Sequence, residues 1–158
     1  PHAGELARLT GTSAAEIEAE REHLLVEWAA RWGAVVLLKG SPTWIAAPDG
    51  QLWIVATGDD ALARGGSGDL LTGLLGGLLA QGLDPLPAAL LGAYVHGLAG
   101  GLAATGRSTR SVRVTEIAGA IGPVFEGLER EASASAELRE RIWPLAGTDR
   151  PARGGTDG

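Results

Sequence analysis

Leu70, Leu71, Leu74, Leu75, Leu78 and Leu79 recur two by two along residues 67–81, so this segment predicts a helix with one broad apolar face. Gly73, Gly76 and Gly77 interrupt it. A glycine in a helix interior costs up to about 1 kcal/mol against alanine, so close packing on a sheet or a ligand is expected there. Residues 86–104 follow the Asp84-Pro85 punctuation as a second apolar helix. Upstream, Ser13-Ala-Ala-Glu16 has the spacing of a capping box. Ile17, Leu24, Leu25, Trp28 and Trp32 then recur at near-helical intervals, predicting one helix to about Trp32 that Gly33 stops. Residues 1–11 read as a loop with a turn or two of helix, capped by Gly11. The apolar run 34–40, "AVVLLKG", predicts a strand covered on both faces. "TWIAA" and "QLWIVAT" flank the turn Pro48-Asp49-Gly50, predicting a hairpin of residues 43–47 and 51–57 with Trp44 and Trp53 packed across it. Residues 58–66 and 107–112 are loops, and Thr115 is expected to cap a last helix, 116–132, that Pro123 kinks or divides. From Ser133 the pattern fades: "LRERIW" predicts a short helix and residues 147–158 predict disorder.

This order gives an α/β fold, or half of one, because two or three strands are few for a parallel sheet. The first residue is Pro, so the chain reads as a fragment or processed form whose N-terminal strands lie elsewhere. Residues 1–132 are expected to form a partial domain and 133–158 a tail.

Composition narrows the classes. With 45% hydrophobic residues the chain can bury a core, but only seven aromatics are present, so aliphatics and alanine must build it. There is no Cys, which excludes disulfides and thiolate metal sites and leans the reading to a reducing, cytoplasmic setting. The formal charge of −6 lacks the basic footprint of a nucleic-acid binder. Residues 86–104 are uncharged, and Gly97 and Gly101 have the spacing of a membrane-helix dimer motif. Their apolar content is mostly Ala and Gly, with His96 in the middle, so they are read as a buried helix with no membrane partner.

The stretch 63–71, "ARGGSGDLL", carries the chemistry. A glycine-rich loop running into a helix N-terminus offers free backbone N–H groups and the positive end of the helix dipole to an anion. Gly65, Gly66 and Gly68 keep side chains out of a phosphate's way, and Ser67 can cap the helix and donate through its hydroxyl. Asp69, beside such a phosphate, could take the proton of an attacking hydroxyl; from these residues alone, ordinary first-turn capping is the favoured reading. The Gly-Lys-Ser/Thr ending of a Walker loop is missing. No His/Asp/Glu cluster has metal-ligand spacing, so any Mg²⁺ is expected to arrive with a nucleotide. His96 is read as a satisfied core histidine and His23 as a solvated one.

Four segments together resemble one family, the ADP-dependent NAD(P)H-hydrate dehydratases of the ribokinase-like superfamily. They are "PHAGELARLTG", "LLKGSPTWIAAPDG", "TGDDALARGGSGDLLTGLLGGLLAQGL" and "AALLGAYVHGLAG", in that order. The resemblance covers residues 1 to about 132 and implies the C-terminal part of a three-layer α/β/α domain. It implies removal of water from hydrated NADH or NADPH, driven by ADP or ATP with Mg²⁺. By motif position it implies that His2 contacts the hydrated nucleotide. Lys39, Gly40, Ser41, Pro42 and Thr43 are implied to line the adenine-nucleotide site together with Gly68, and Asp69 to touch the substrate and act as base. Asp59 stands where the family usually has Asn, Pro42 lacks a backbone donor, and Arg64 offsets Asp59 or is solvated. Weak or no turnover is expected until the N-terminal half is restored. A small-molecule kinase of the same superfamily and a truncated, non-catalytic nucleotide-binding domain are the alternatives. A part-built sheet exposes apolar surface, so a homo-oligomer is expected.

Overall fold

The computed structural model describes residues 1–142, with side chains through residue 135. Helices α1 (Ala3–Thr10), α2 (Ala14–Ala19) and α3 (Arg21–Trp32) precede strands β1 (Val36–Leu38), β2 (Thr43–Ala46) and β3 (Leu52–Val55). Helices α4 (Ser67–Ala80), α5 (Pro85–Ala103) and α6 (Val114–Ile142) follow, with single 3₁₀ turns at Asp60–Leu62 and Thr109–Ser111. The sheet is antiparallel in the order β1-β2-β3.

Helices cover both faces of the sheet. On one face Leu6, Ile17, Leu25 and Ala29 of α1–α3 bury against Val36, Leu38 and Ala46. On the other, Ile45 and Val55 meet Ala89 and Ala93 of α5. Beyond that layer Val95 and Ala99 of α5 pack on Ile117, Ala120 and Val124 of α6, with Ala61 and Val112 closing the cluster. Alternation along each strand sorts residues between these cores, as a period of two requires.

Helix α5 is the one helix among the described residues long and apolar enough to cross a membrane by length and composition, and half of its apolar window is buried. It packs against α4, α6, β2 and β3. A Cβ built on Gly97 would lie 2.3 Å from Thr57 Oγ1 and 2.6 Å from the Thr57 carbonyl carbon, so this glycine lets α5 touch the chain leaving β3. Gly101 faces open space. The Gly97/Gly101 spacing therefore reports one helix–backbone contact inside the domain.

Several elements depart from the pattern. The helix predicted over 13–32 is two helices, broken where Glu20 adopts φ −120°, ψ 30°. Neither Gly nor Pro marks that break, so spacing gives no sign of it. Trp44 pairs with Ile54, and Ile45 with Trp53, so the two tryptophans lie on opposite faces of the hairpin and do not pack together. Trp44 joins the α1–α3 core, with the Arg21 guanidinium 5.8 Å from its ring centroid, whereas Trp53 is 44% exposed. Gly73, Gly76 and Gly77 have no neighbour within 4 Å of a built Cβ, so no close packing within the described residues explains them. Helix α6 starts at Val114, ahead of Thr115, and the Glu116 carboxylate accepts from the Arg113 N–H at that end. Pro123 sits inside α6 without dividing it, and the helix continues past 132 into the "LRERIW" segment as far as Ile142. Trp143 and the tail 147–158 lie outside the described residues.

Candidate active site

A cavity of about 420 Å³ opens where the N-terminus of α4 meets the chain's first residues, the loop after β1 and the loop after β3. His2, Lys39, Gly40, Ser41 and Thr43 line one side. Thr57, Gly58, Asp59, Asp60, Leu62, Ala63 and Arg64 line another, and Ser67, Gly68, Leu71, Ala93 and His96 form the floor. The structure thus brings His2, Lys39, Gly40, Ser41, Thr43, Ser67 and Gly68 of the sequence reading together. Pro42, Gly65, Gly66 and Asp69 do not line this cavity. Pro42 follows a cis peptide from Ser41, and the Thr43 hydroxyl donates to the Gly40 carbonyl at 3.2 Å across the same loop.

Helix α4 begins differently from the sequence expectation. Its N-cap is Gly66, held at φ 86° in the left-handed region that favours glycine, and no side chain caps it. Ser67 is therefore the first helical residue and not the cap. Its side chain turns inward and its Oγ lies 3.2 Å from His96 Nε2, both residues buried at 4% and 6% exposure. The Ser67 N–H donates to the Arg64 carbonyl at 3.3 Å, whereas the Gly68 and Asp69 N–H groups have no partner among the described residues, which is the arrangement that receives anions. Asp69, in this first turn, is exposed and makes no hydrogen bond or ion pair among the described residues.

Lys39 is seated against that helix end. A Cβ on Gly68 would fall 2.9 Å from the Lys39 Nζ, so glycine leaves the space the ammonium occupies. The ammonium is held by Glu5, whose Oε2 lies 3.3 Å away. Glu5 also accepts from the His2 backbone N–H at 2.7 Å, while the His2 ring caps the Glu5 N–H at 3.3 Å. This reciprocal capping box at the start of α1, with a His2–Lys39 parallel bridge, fixes His2 beside Lys39. The His2 N–H, and after it Lys39, hold the Glu5 carboxyl below its usual range. Burial lowers the His96 imidazole, the Ser67 backbone opposes this, and Lys39 adds to the lowering, so the neutral form is favoured.

On the far wall the Asp59 Oδ1 accepts from the Ala61 N–H at 2.8 Å, capping the turn at Asp60–Leu62. Arg64 is neither solvated nor paired with Asp59: its guanidinium donates to the carbonyls of Ala61, Thr109 and Val112, tying this loop to the one before α6. Among the described residues no group of three His, Cys, Asp or Glu is placed to hold a metal ion.

Sequence reasoning passed over Glu5, Thr57 and Asp60, and it read His96 as a satisfied core histidine with no place in the site; His96 is buried and partnered, and it also lines the cavity. The spacing His2-x-x-Glu5 at a helix start carried the signal for Glu5. For His96 it was the lone polar residue on an apolar helix, which is a core pattern until Ser67 is seen against it.

A small sheet layered between helices, with a cavity at a glycine-rich helix N-terminus, is the arrangement of the ribokinase-like α/β/α class. A solved ribokinase-like superfamily protein from Enterococcus faecalis is similar over 80% of this chain and 43% of its own, with TM-score 0.66 and 29% identity. The ADP/ATP-dependent NAD(P)H-hydrate dehydratase of Bacillus subtilis, co-crystallised with ATP and Mg²⁺, matches with TM-score 0.76 and 39% identity over 80% of this chain and 47% of its own. The family described as NAD(P)H-hydrate dehydratase matches residues 1–123, and the chain belongs to it. A bifunctional NAD(P)H-hydrate repair enzyme of Moorella thermoacetica is 48% identical over 131 residues, 83% of this chain and 25% of that protein. The chain spans from about a fifth to about half of the length of the curated relatives it matches.

Proposed function

We propose that the chain is the nucleotide-binding part of an ADP- or ATP-dependent dehydratase that removes water from hydrated NADH or NADPH. The observation that carries this reading is the seat of Lys39 against Gly68 at the open N-terminus of α4, inside a cavity, in a chain of this family. A cation and unpaired N–H groups converging on one point fit the phosphates of an adenine nucleotide. Lys39, Gly40, Ser41, Pro42 and Thr43 are proposed to hold that nucleotide with Gly65, Gly66, Ser67 and Gly68, and Mg²⁺ to come bound to it. His2 is proposed to face the hydrated nicotinamide nucleotide.

Asp69 lies in the same first turn, exposed and without a hydrogen-bond or ion-pair partner among the described residues. In the proposed reaction it accepts the proton of the ring hydroxyl as that oxygen attacks the terminal phosphorus of ADP, releasing AMP. The ring nitrogen's electron pair then expels phosphate, and loss of a proton from the adjacent carbon restores the double bond. A cytoplasmic setting and a homo-oligomer belong to the same proposal.

The test is a chimera in which this chain replaces the matching segment of the Bacillus subtilis enzyme, assayed for recovery of NADH absorbance from its hydrate. Recovery should require ADP or ATP. Asp69→Asn should lower kcat by at least about a hundredfold, the scale of a lost general base. Recovery without nucleotide, or near-normal turnover in Asp69→Asn, contradicts the reading.

A further inference from the structure

Ser67 and His96 form a buried polar pair in the cavity floor, and no assigned role uses His96. A serine hydroxyl has one proton to donate and two lone pairs, while a neutral imidazole donates from one nitrogen and accepts at the other. The 3.2 Å contact between Ser67 Oγ and His96 Nε2 therefore has two forms. If Nε2 accepts, the serine proton points inward and Ser67 turns only lone pairs toward the cavity, which repel an anion. If Nε2 carries the proton and donates, the serine proton is free to point outward. No hydrogen bond to His96 Nδ1 fixes the tautomer among the described residues, and at Nε2 the Ser67 backbone stands near the ring beside its hydroxyl. Nδ1 is not sealed off either, since Trp44 Nε1 is the side-chain polar atom that is buried without a partner there. An anion at the start of α4 does select, because it accepts the serine proton and so favours the tautomer with the proton on Nε2. Burial, and after it the Lys39 ammonium, favour the neutral imidazole.

We propose that His96 is a positioning residue whose Nε2–H, selected by the bound phosphate, turns the Ser67 hydroxyl proton onto that phosphate. The proposal rests on the reading of the cavity as the nucleotide site. It makes Ser67 a side-chain donor supplementing the backbone N–H groups of α4, aimed from below by a histidine on the neighbouring helix.

The test is a long-range ¹H–¹⁵N spectrum of the labelled chain with and without ADP and Mg²⁺, the His96 ring being assigned by its loss in His96→Gln. With ADP bound, as reported by shifts of the Lys39 and Gly68 amides, Nε2 should carry the proton and Nδ1 should not. Affinity supplies the second arm, measured on variants that remain folded by circular dichroism. Ser67→Ala and His96→Leu should each weaken ADP by about tenfold, the loss of one hydrogen bond to a charged group. The double variant should lose no more than either single, and His96→Gln, which keeps an N–H donor, should stay within about threefold of the wild type. Amide shifts with an unprotonated Nε2, additive losses, or wild-type affinity in His96→Leu overturn the proposal and leave the nucleotide reading intact. No amide shift at all overturns both.

Discussion

Lys39 shows how much of this site one residue decides. Its ammonium fills the space beside Gly68, is neutralised by Glu5, and stands over the unpaired N–H groups of α4. The glycine makes room for a cation and does not answer to backbone dihedrals, and that contact joins residues 29 positions apart. No local spacing could show it, although the motif did mark both residues. Ser67 was legible as a member of the loop and not in its orientation, because that depends on His96 from another helix. A separate residue-scale effect is electrostatic. Arg107, with help from the Arg113 backbone N–H, holds the Glu116 carboxyl down to about 2 from its ordinary 4.5. A folded-state value below the unfolded one means this contribution is fully present above about pH 4.5 and is lost as pH falls through about 2. Urea midpoints of wild type and Glu116→Gln should therefore differ at pH 7 and converge toward pH 2; a constant gap contradicts the assignment.

Helix α5 sets the layout at the scale of elements. It carries His96 to the cavity floor, packs Ala89 and Ala93 under the sheet, and meets Thr57 through Gly97. Gly97→Ala should destabilise the fold by about 1–3 kcal/mol in urea titration, since backbone and a short side chain block the new methyl. Gly101→Ala, whose methyl meets nothing, should stabilise by up to about 1 kcal/mol through helix propensity. Equal effects at the two glycines contradict the packing described. The helices with long apolar runs, α4 and α5, and the hairpin were legible within a few residues because periodicity and turn residues mark them. The break at Glu20 and the start of α6 were not, because tertiary placement and a carboxylate–N–H contact at Glu116 decide them. The tryptophan pairing failed on register alone: a one-residue offset sends Trp44 and Trp53 to opposite faces.

At the scale of the whole molecule, the four quoted segments converge on one cavity or its rim although they are spread over most of the chain. Ile54, Leu79 and Tyr94 are exposed, and the glycine face of α4 is open. Surface of this kind is expected to be covered in solution. Sedimentation equilibrium should accordingly give a mass above the 16.1 kDa of one chain, and a concentration-independent monomer contradicts a homo-oligomer. Under the proposed function, the start of α4, Lys39 and the 40–43 loop form an adenine-nucleotide phosphate site. Isothermal titration of the chain with ADP and Mg²⁺ tests it most directly, with Gly68→Ala as control. The account predicts saturable binding that Gly68→Ala weakens by about tenfold, as the displaced ammonium loses a charge-assisted contact, with little loss of fold stability. No binding heat at millimolar ADP, or equal affinity in Gly68→Ala, contradicts it.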